Sequence, residues 1–238
     1  MFSSVVNDFW QETFSGDGIL YADERLQITT NPTLNGDEHG MILEPRAGKT
    51  LITLKPELAS RLDIAAGGSW SVDLLCQRLA ATGFALYGAD NLFYFPAADL
   101  ATLMQESIPG DIRQLSQDDQ GFFAEFSASA TEEDLDAAYV ELDHWLVFGA
   151  FERERLVCAG SMYAWMASNI ADFGMLTLPP FRGKGHGRRL VRAISQSALQ
   201  RGFQPQYRCQ LDNHASIATA RAAGLHLYGK WDFIVESS

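Results

Sequence analysis

Cysteine is scarce in this chain. Cys76, Cys158 and Cys209 are widely spaced, odd in number and form no CxxC pair. That excludes a disulfide framework and a thiolate zinc site, and makes a reducing cytoplasm the expected setting. No run of about 18 apolar residues occurs, so no membrane-spanning helix is expected. The opening MFSSVVNDFWQETF carries Asp8 and no basic cluster, unlike a secretory signal. Basic residues are also few: 18 Lys+Arg stand against 30 Asp+Glu, a net charge of -12 over 238 residues. Such a charge argues against nonspecific nucleic-acid binding, which requires phosphate neutralisation, and against anionic membrane surfaces. The shortage is uneven. Residues 114–152 hold ten acids (Asp118, Asp119, Glu125, Glu132, Glu133, Asp134, Asp136, Glu141, Asp143, Glu152) and no Lys or Arg. Residues 173–211 hold seven bases (Arg182, Lys184, Arg188, Arg189, Arg192, Arg201, Arg208) and no acid.

With 47% hydrophobic and 20% charged residues, the composition is that of a soluble globular protein with one large or two small domains. In residues 1–14, Val6, Phe9, Trp10 and Phe14 recur at helical spacing. Strands are expected at 19–29, 40–43, 50–54 and 92–95, and helices at 56–62, 70–82 and 97–105. Pro109-Gly110-Asp111 breaks the chain, and a domain boundary is placed there, between 1–110 and 111–238. Residues 1–110 carry no chemical motif. Beyond the break the pattern predicts a strand at 112–115, helices at 116–128 and 131–142, and a three-strand antiparallel meander at 145–151, 156–166 and 171–178. A helix at 187–200, a strand at 206–211, a helix at 213–223 and a strand at 225–235 complete the order βααβββαβαβ. The class is α/β with a mixed, mostly antiparallel sheet.

One segment carries chemistry. Arg182-Gly183-Lys184-Gly185-His186-Gly187-Arg188 joins a strand to a helix. Alternate glycines let successive N–H groups converge on one spot, and the helix start adds its own unpaired N–H groups and the positive end of its dipole. This is an anion site suited to phosphate or pyrophosphate. The P-loop pattern GxxxxGK[ST] is absent, and the GxGxxG fingerprint fails because Arg188 or Leu190 stands where its last glycine belongs. The pattern [QR]xxGx[GA] fits Arg182 to Gly187. The bland alternative is a Gly-rich turn with solvated bases.

Together, TLPPFRGKGHGRRLV and the downstream LDNHASIATARAAGL resemble the acetyl-CoA loop and the NxxAxxxYxxxGF helix of the GNAT superfamily of N-acetyltransferases. The resemblance covers about 111–238 and implies that fold, with a smaller α/β domain before it. It implies acetyl-CoA as co-substrate and no metal. It implies backbone contacts to pantetheine at Leu176 and Thr177, a pyrophosphate cradle of Arg182, Gly183, Lys184, Gly185, His186, Gly187 and Arg188, and contacts from Asn213 and Ser216. Asn213 also suits a plain helix N-cap, and Ser216 a solvated first-turn position. The chain departs from the family where its usual tyrosine acid is Ala220 and its phenylalanine after glycine is Leu225.

The implied reaction is attack of a primary amine on the thioester. A free alkyl amine has a pKa of about 10, so a base must take its proton. A backbone N–H can serve the carbonyl oxygen, and orientation supplies roughly 7–11 kcal/mol in the best cases. Asp172, the one acid in the strand leading to the loop, is the candidate base; otherwise it is an edge carboxylate. Tyr228 is the candidate acid; otherwise it is a core aromatic, and Tyr163 is a similar case. His144 and His186 are the histidines considered beside them; one opens a strand and the other lies in the phosphate loop. The acids of 116–142 border the acceptor groove in this family, so a cationic small-molecule or peptide amine is the expected acceptor, unless those acids are merely solvated faces. The competing class is a catalytically idle acyl-CoA-binding sensor, and a third variant uses a longer acyl group. Residues 1–110 suit a degenerate copy of the fold, a substrate-positioning cap, or a dimerisation domain that would make a homodimer.

Overall fold

The computed structural model describes residues 1–34, 38–64 and 68–237. In chain order the elements are α1 (Ser4–Thr13), β1 (Gly18–Ala22), β2 (Leu26–Thr30), β3 (Gly40–Pro45), β4 (Thr50–Leu54), α2 (Pro56–Arg61), α3 (Val72–Ala81), β5 (Phe84–Leu86), β6 (Asp90–Tyr94) and α4 (Leu100–Gln105). They continue with β7 (Ile112–Gln114), α5 (Gln120–Ser127), α6 (Glu132–Ala138), β8 (Leu146–Glu152), β9 (Arg155–Trp165), β10 (Ile170–Thr177), α7 (His186–Gln200), β11 (Gln204–Gln210), α8 (His214–Ala223) and β12 (His226–Glu236). The expected order after residue 111 is present throughout. No helix among the described residues is long and apolar enough to cross a membrane.

Contacts gather these elements into two compact units, neither of them one continuous segment. The first comprises Met1–Val6, Phe93–Arg208 and Asn213–His226; the second comprises Asn7–Leu92, Cys209–Asp212 and Leu227–Ser238. In the second unit the strands run β1–β2–β4–β3–β12, with β5 also paired to β12. Among the described residues, only β2 and β4 are parallel there. Its core forms where Ile28, Ile42, Ile52 and Leu54 of the sheet meet Leu58 and Leu62 near α2 and Leu75 and Leu79 of α3. Leu75 and Leu79 lie one helical turn apart, so α3 buries a single stripe. Burial of such side chains is the main stabilising contribution, about 1.5–3 kcal/mol each.

In the first unit the order is β11–β10–β9–β8–β7. All pairs are antiparallel except β10 with β11. One sheet face packs Leu115, Phe126, Val147, Leu156 and Leu176 together beneath α5 and α6. The apolar stripe of α7, with Leu190, Val191, Ile194 and Ala198, is fully buried.

Several boundaries differ from expectation, for local reasons. The region 19–29 is two strands, because the side chain of Asp23 accepts from the N–H groups of Arg25 and Leu26 and builds a turn. The helix expected to start at 116 opens as a tight 3-10 turn, Gln117–Asp119, before α5. Asp119 holds that entry, accepting from Ser116 N at 3.0 Å and from both guanidinium nitrogens of Arg113 at 2.5 and 2.9 Å. The helix expected through 142 stops at Ala138, since Tyr139 takes a left-handed conformation at φ 46°. Its start is as expected, with the Thr131 hydroxyl accepting from Asp134 N.

The early stop brings the end of α6 down onto β10. A Cβ on Gly174 would lie 2.2 Å from Ala138 O and 2.7 Å from Tyr139 O. Both obstacles are backbone. Gly174→Ala is therefore expected to displace α6 and destabilise the protein by about 1–3 kcal/mol, read as a lower urea midpoint. A second prediction concerns acid. The Arg113 hydrogen bond, more than any other contact, holds the Asp119 carboxyl below its ordinary value. A depressed folded value stabilises above the unfolded pKa and is lost as pH falls through the folded one. Asp119→Asn should then flatten the loss of stability between about pH 4 and 2, measured by denaturation at stepped pH.

Candidate functional site

The site begins where a pair of strands stops pairing. The parallel register of β10 with β11 runs from Ile170–Gln204 to Phe173–Tyr207 and ends there. On its other side, β10 stays paired with β9 as far as Thr177–Cys158. Residues 174–177 thus have one open edge, whose backbone groups lack a strand partner. Unpaired strand groups are ready to bond an extended ligand. The Thr177 hydroxyl donates to Cys158 Sγ at 3.1 Å, tying that side chain inward. Burial pushes the Cys158 thiol up to about 12, so it is inert.

Beyond the open edge, the chain makes a short 3-10 turn and enters the glycine loop. Gly183 and Gly185 have φ values of 76° and 81°, which side chains on Cβ disfavour. Gly185 is the N-cap of α7. The first intrahelical bond runs from Arg189 N to Gly185 O, leaving the N–H groups of His186, Gly187 and Arg188 without helical acceptors. Across the cleft, the Asn213 side chain caps α8 by accepting from Ser216 N at 3.0 Å.

These pieces line one cavity of about 700 Å³. It brings together Leu176, Thr177, Arg182, Gly183, Gly185, His186, Gly187, Arg188, Asn213 and Ser216. Of the loop residues singled out in the sequence, Lys184 alone is not in the lining. Met175, Thr219 and Asp134 line it too. Sequence reasoning had no signal for Met175 or Thr219, and it assigned Asp134 only to an acidic face.

Most of the loop's charge is already engaged. Arg182 donates to Asp134 Oδ2 at 2.9 Å and, through Nε, to Thr177 O at 2.9 Å. Lys184 pairs with Glu152 at 3.3 Å, the largest cause holding that carboxyl below its usual range. Arg189 pairs with Asp111 at 2.7 Å and donates to His186 Nδ1 at 3.1 Å. A guanidinium only donates, so His186 Nδ1 accepts and its proton sits on Nε2, facing Glu152 Oε2 at 3.3 Å. Arg188 makes no hydrogen bond or ion pair to another described residue. Among the expected acceptor-attracting acids, Asp134 serves the loop, while Glu132 and Glu133 are exposed.

Asp172 lies one residue before the last paired rung. Its buried carboxylate accepts from Tyr163 Oη at 2.7 Å, from Gln206 Nε2 at 2.9 Å and from Arg208 Nε and Nη2 at 3.2 and 3.1 Å. Burial, then the Asp172 charge, holds the Tyr163 hydroxyl well above its ordinary pKa. His144 stands nearby, its ring 5.3 Å from that of Tyr163. Its Nδ1 is 2.7 Å from Ser161 Oγ, and its ring meets Tyr139 and Tyr163 edge-on or tilted. Tyr228 does not line the cleft. It belongs to the second unit, where it stacks on Trp10. Ala220 is wholly buried. Among the described residues, no group of three or more His, Cys, Asp or Glu is placed to hold a metal.

A sheet opened at one parallel pair, with a glycine-rich anion loop at its mouth, is the α/β arrangement that the sequence resemblance implied. The comparisons agree. Residues 112–225 match the model of the acetyltransferase (GNAT) family, so this stretch is a GNAT acetyltransferase domain. A GNAT-family acetyltransferase from Colwellia psychrerythraea shares the fold at TM-score 0.50, with 18% identity over 79% of this chain and 77% of that one. A putative GNAT-family acetyltransferase from Novosphingobium aromaticivorans aligns at TM-score 0.44, with 15% identity over 86% of this chain and 78% of that one. No curated protein matches.

Asp134 competes with any anion for Arg182. Asp134→Asn should raise the affinity for inorganic pyrophosphate several-fold at low salt, measured by calorimetry. Unchanged affinity would show that the pair does not compete.

Proposed function

We propose that the protein is an N-acetyltransferase that moves an acetyl group from acetyl-CoA to a primary amine by direct attack. One observation carries this reading: the open edge of residues 174–177 and the N–H groups at the start of α7 face a single cavity. Its volume of about 700 Å³ is in the range of a cofactor cleft. Bound there, acetyl-CoA supplies the activated thioester. The open strand edge pairs with its pantetheine amides. The α7 N-terminus and Arg188 take the pyrophosphate, and Arg182 joins them on leaving Asp134. Asn213 and Ser216 contact the pantetheine and phosphate side.

Asp172 is the base candidate, as the sole acid of β10 and a neighbour of the fork. To act, it must exchange one of its four donors for the amine or a water. The sensor reading has its own support, because Asp172 is fully hydrogen-bonded and the place of the family's tyrosine is the buried Ala220.

An amine panel followed by thiol release separates the two. An enzyme frees CoA with at least one amine; a sensor binds acetyl-CoA and frees none. Asp172→Asn should lower kcat by about 10²–10⁴-fold if the carboxylate is the base, well beyond any accompanying loss of acetyl-CoA affinity. The pair Gly185→Asp and Arg182→Ala should abolish acetyl-CoA binding by the whole chain; residual stoichiometric binding would refute the assignment of the loop.

A further inference from the structure

In the acetyl-transfer reading, the reacting carbon lies at the closed end of the fork. With the pyrophosphate at the start of α7, the pantetheine arm runs along the open edge from Thr177 towards Gly174. There the fork closes, at the Phe173–Tyr207 rung. The group that takes the amine's proton must stand within reach of that point. Asp172 is close, but it is 2% exposed and its carboxylate already accepts four hydrogen bonds.

A second basic group meets the same place. Ser161 of β9 is the direct partner of Gly174 in the antiparallel register. Their Cα atoms are therefore about 5 Å apart, and their side-chain positions share one face of the sheet. Ser161 is wholly buried. Its hydroxyl accepts from Glu141 N at 3.3 Å and meets His144 Nδ1 at 2.7 Å. That bond engages one ring nitrogen of His144. The other, Nε2, makes no hydrogen bond to another described residue; the half-exposed Glu141 carboxylate lies 3.7 Å from it. Tyr139 and Tyr163 flank the ring, with centroids 5.1 and 5.3 Å away. Asp172 and Arg208 stand behind Tyr163. Tyr139 and Glu141 are both exposed, so the corner opens to solvent. Ala137 and Ala138, just before this turn, line the cleft.

We propose that His144 is the catalytic base: Nε2 takes the proton of the attacking amine while Nδ1–H, bonded to Ser161, holds the ring. The inference rests on the acetyl-transfer reading. In this tautomer the two lone pairs of Ser161 Oγ receive Nδ1–H and Glu141 N–H. Nε2 then carries the lone pair that can accept a proton. The amine nitrogen bonds to the thioester carbonyl carbon, the C–S bond breaks, and the sulfur leaves as thiolate. The nitrogen's proton passes to Nε2, and from the imidazolium to the thiolate. An amine that arrives as ammonium sheds one proton to water by the same route before attack. Glu141 draws the ammonium to the corner and favours the imidazolium. Asp172 braces the apex and keeps all four donors.

The test measures thiol release by the full chain from acetyl-CoA, with butylamine, 1,4-diaminobutane, tyramine and α-N-blocked lysine as acceptors. His144→Ala should lower kcat by more than about ten-fold, towards the 10²–10⁴-fold typical of a lost base. Its acetyl-CoA affinity by calorimetry and its urea midpoint should hold. Added imidazole should restore about ten-fold or more of the lost rate, which a merely structural histidine would not allow. Adding Ser161→Ala should raise the imidazole concentration needed for half of that rescue, because the guest ring has lost its anchor. His144→Asn keeps a donor for Ser161 but has no acceptor in the place of Nε2, and should be as slow as His144→Ala. If the wild type frees no CoA with any amine, the acetyl-transfer reading falls and this inference with it. If the wild type is active but His144→Ala keeps kcat within about ten-fold, or imidazole restores nothing, the proposal alone is overturned and the proton belongs to Asp172.

Discussion

Four donors converge on the Asp172 carboxylate, and the fork in the sheet depends on that clamp. Tyr163 approaches from β9, and Gln206 and Arg208 from β11. A buried carboxylate is costly unless its lone pairs are satisfied. Here they are satisfied by groups on both neighbouring strands, so Asp172 ties three strands together one rung before β10 and β11 part. Gln206 is bonded in turn to the Tyr94 hydroxyl, which extends the network by one more residue. Beyond Phe173 the pairing of β10 with β11 ends, and residues 174–177 keep only their β9 partner. A rigid apex beside an open edge is what an extended ligand requires: the unpaired groups are held in place before the ligand arrives.

The opposed charge blocks of the sequence have a plainer use than their separation implied. Residues 114–152 supply Asp134 and Glu152, and residues 173–211 supply Arg182 and Lys184, and these meet as ion pairs. The basic loop is therefore poised in a shell of carboxylates rather than standing as bare positive charge. Such pairs at the surface contribute little to stability. Their effect is on what the loop can attract, because an incoming polyanion must displace a carboxylate to reach Arg182 but meets Arg188 directly.

Legibility followed the strength of local signals. The glycine loop was readable because glycines at alternate positions before a helix have few other uses. The helix α7 was readable from its apolar spacing, and the strand order after residue 111 from alternation and turns. Less was visible where three-dimensional contacts decide. Tyr139 ends α6 in a left-handed conformation that no sequence rule assigns to tyrosine. The close approach of the Ala138 carbonyl to Gly174 depends on residues 36 apart in the chain. β5 has three residues, too few for a periodic signal. The acid Asp172 was found as a lone carboxylate in a strand; its four donors lie on two other strands and left no trace in local spacing.

The last strand of the chain completes the sheet that the first hundred residues begin. β12 pairs with β3 along six residues and with β5 along three, and its Ile234 joins the second unit's core. During vectorial synthesis, β3 and β5 emerge long before residues 227–236 exist. Until then the early strands have an open edge and the apolar core lacks a side. Closure of the second unit waits for residues 227–236, by which time the intervening GNAT segment has had the opportunity to fold. The strands of residues 18–86 are thus made before the GNAT segment and closed after it, and they spend that interval as exposed edges of the kind that aggregate or call on chaperones.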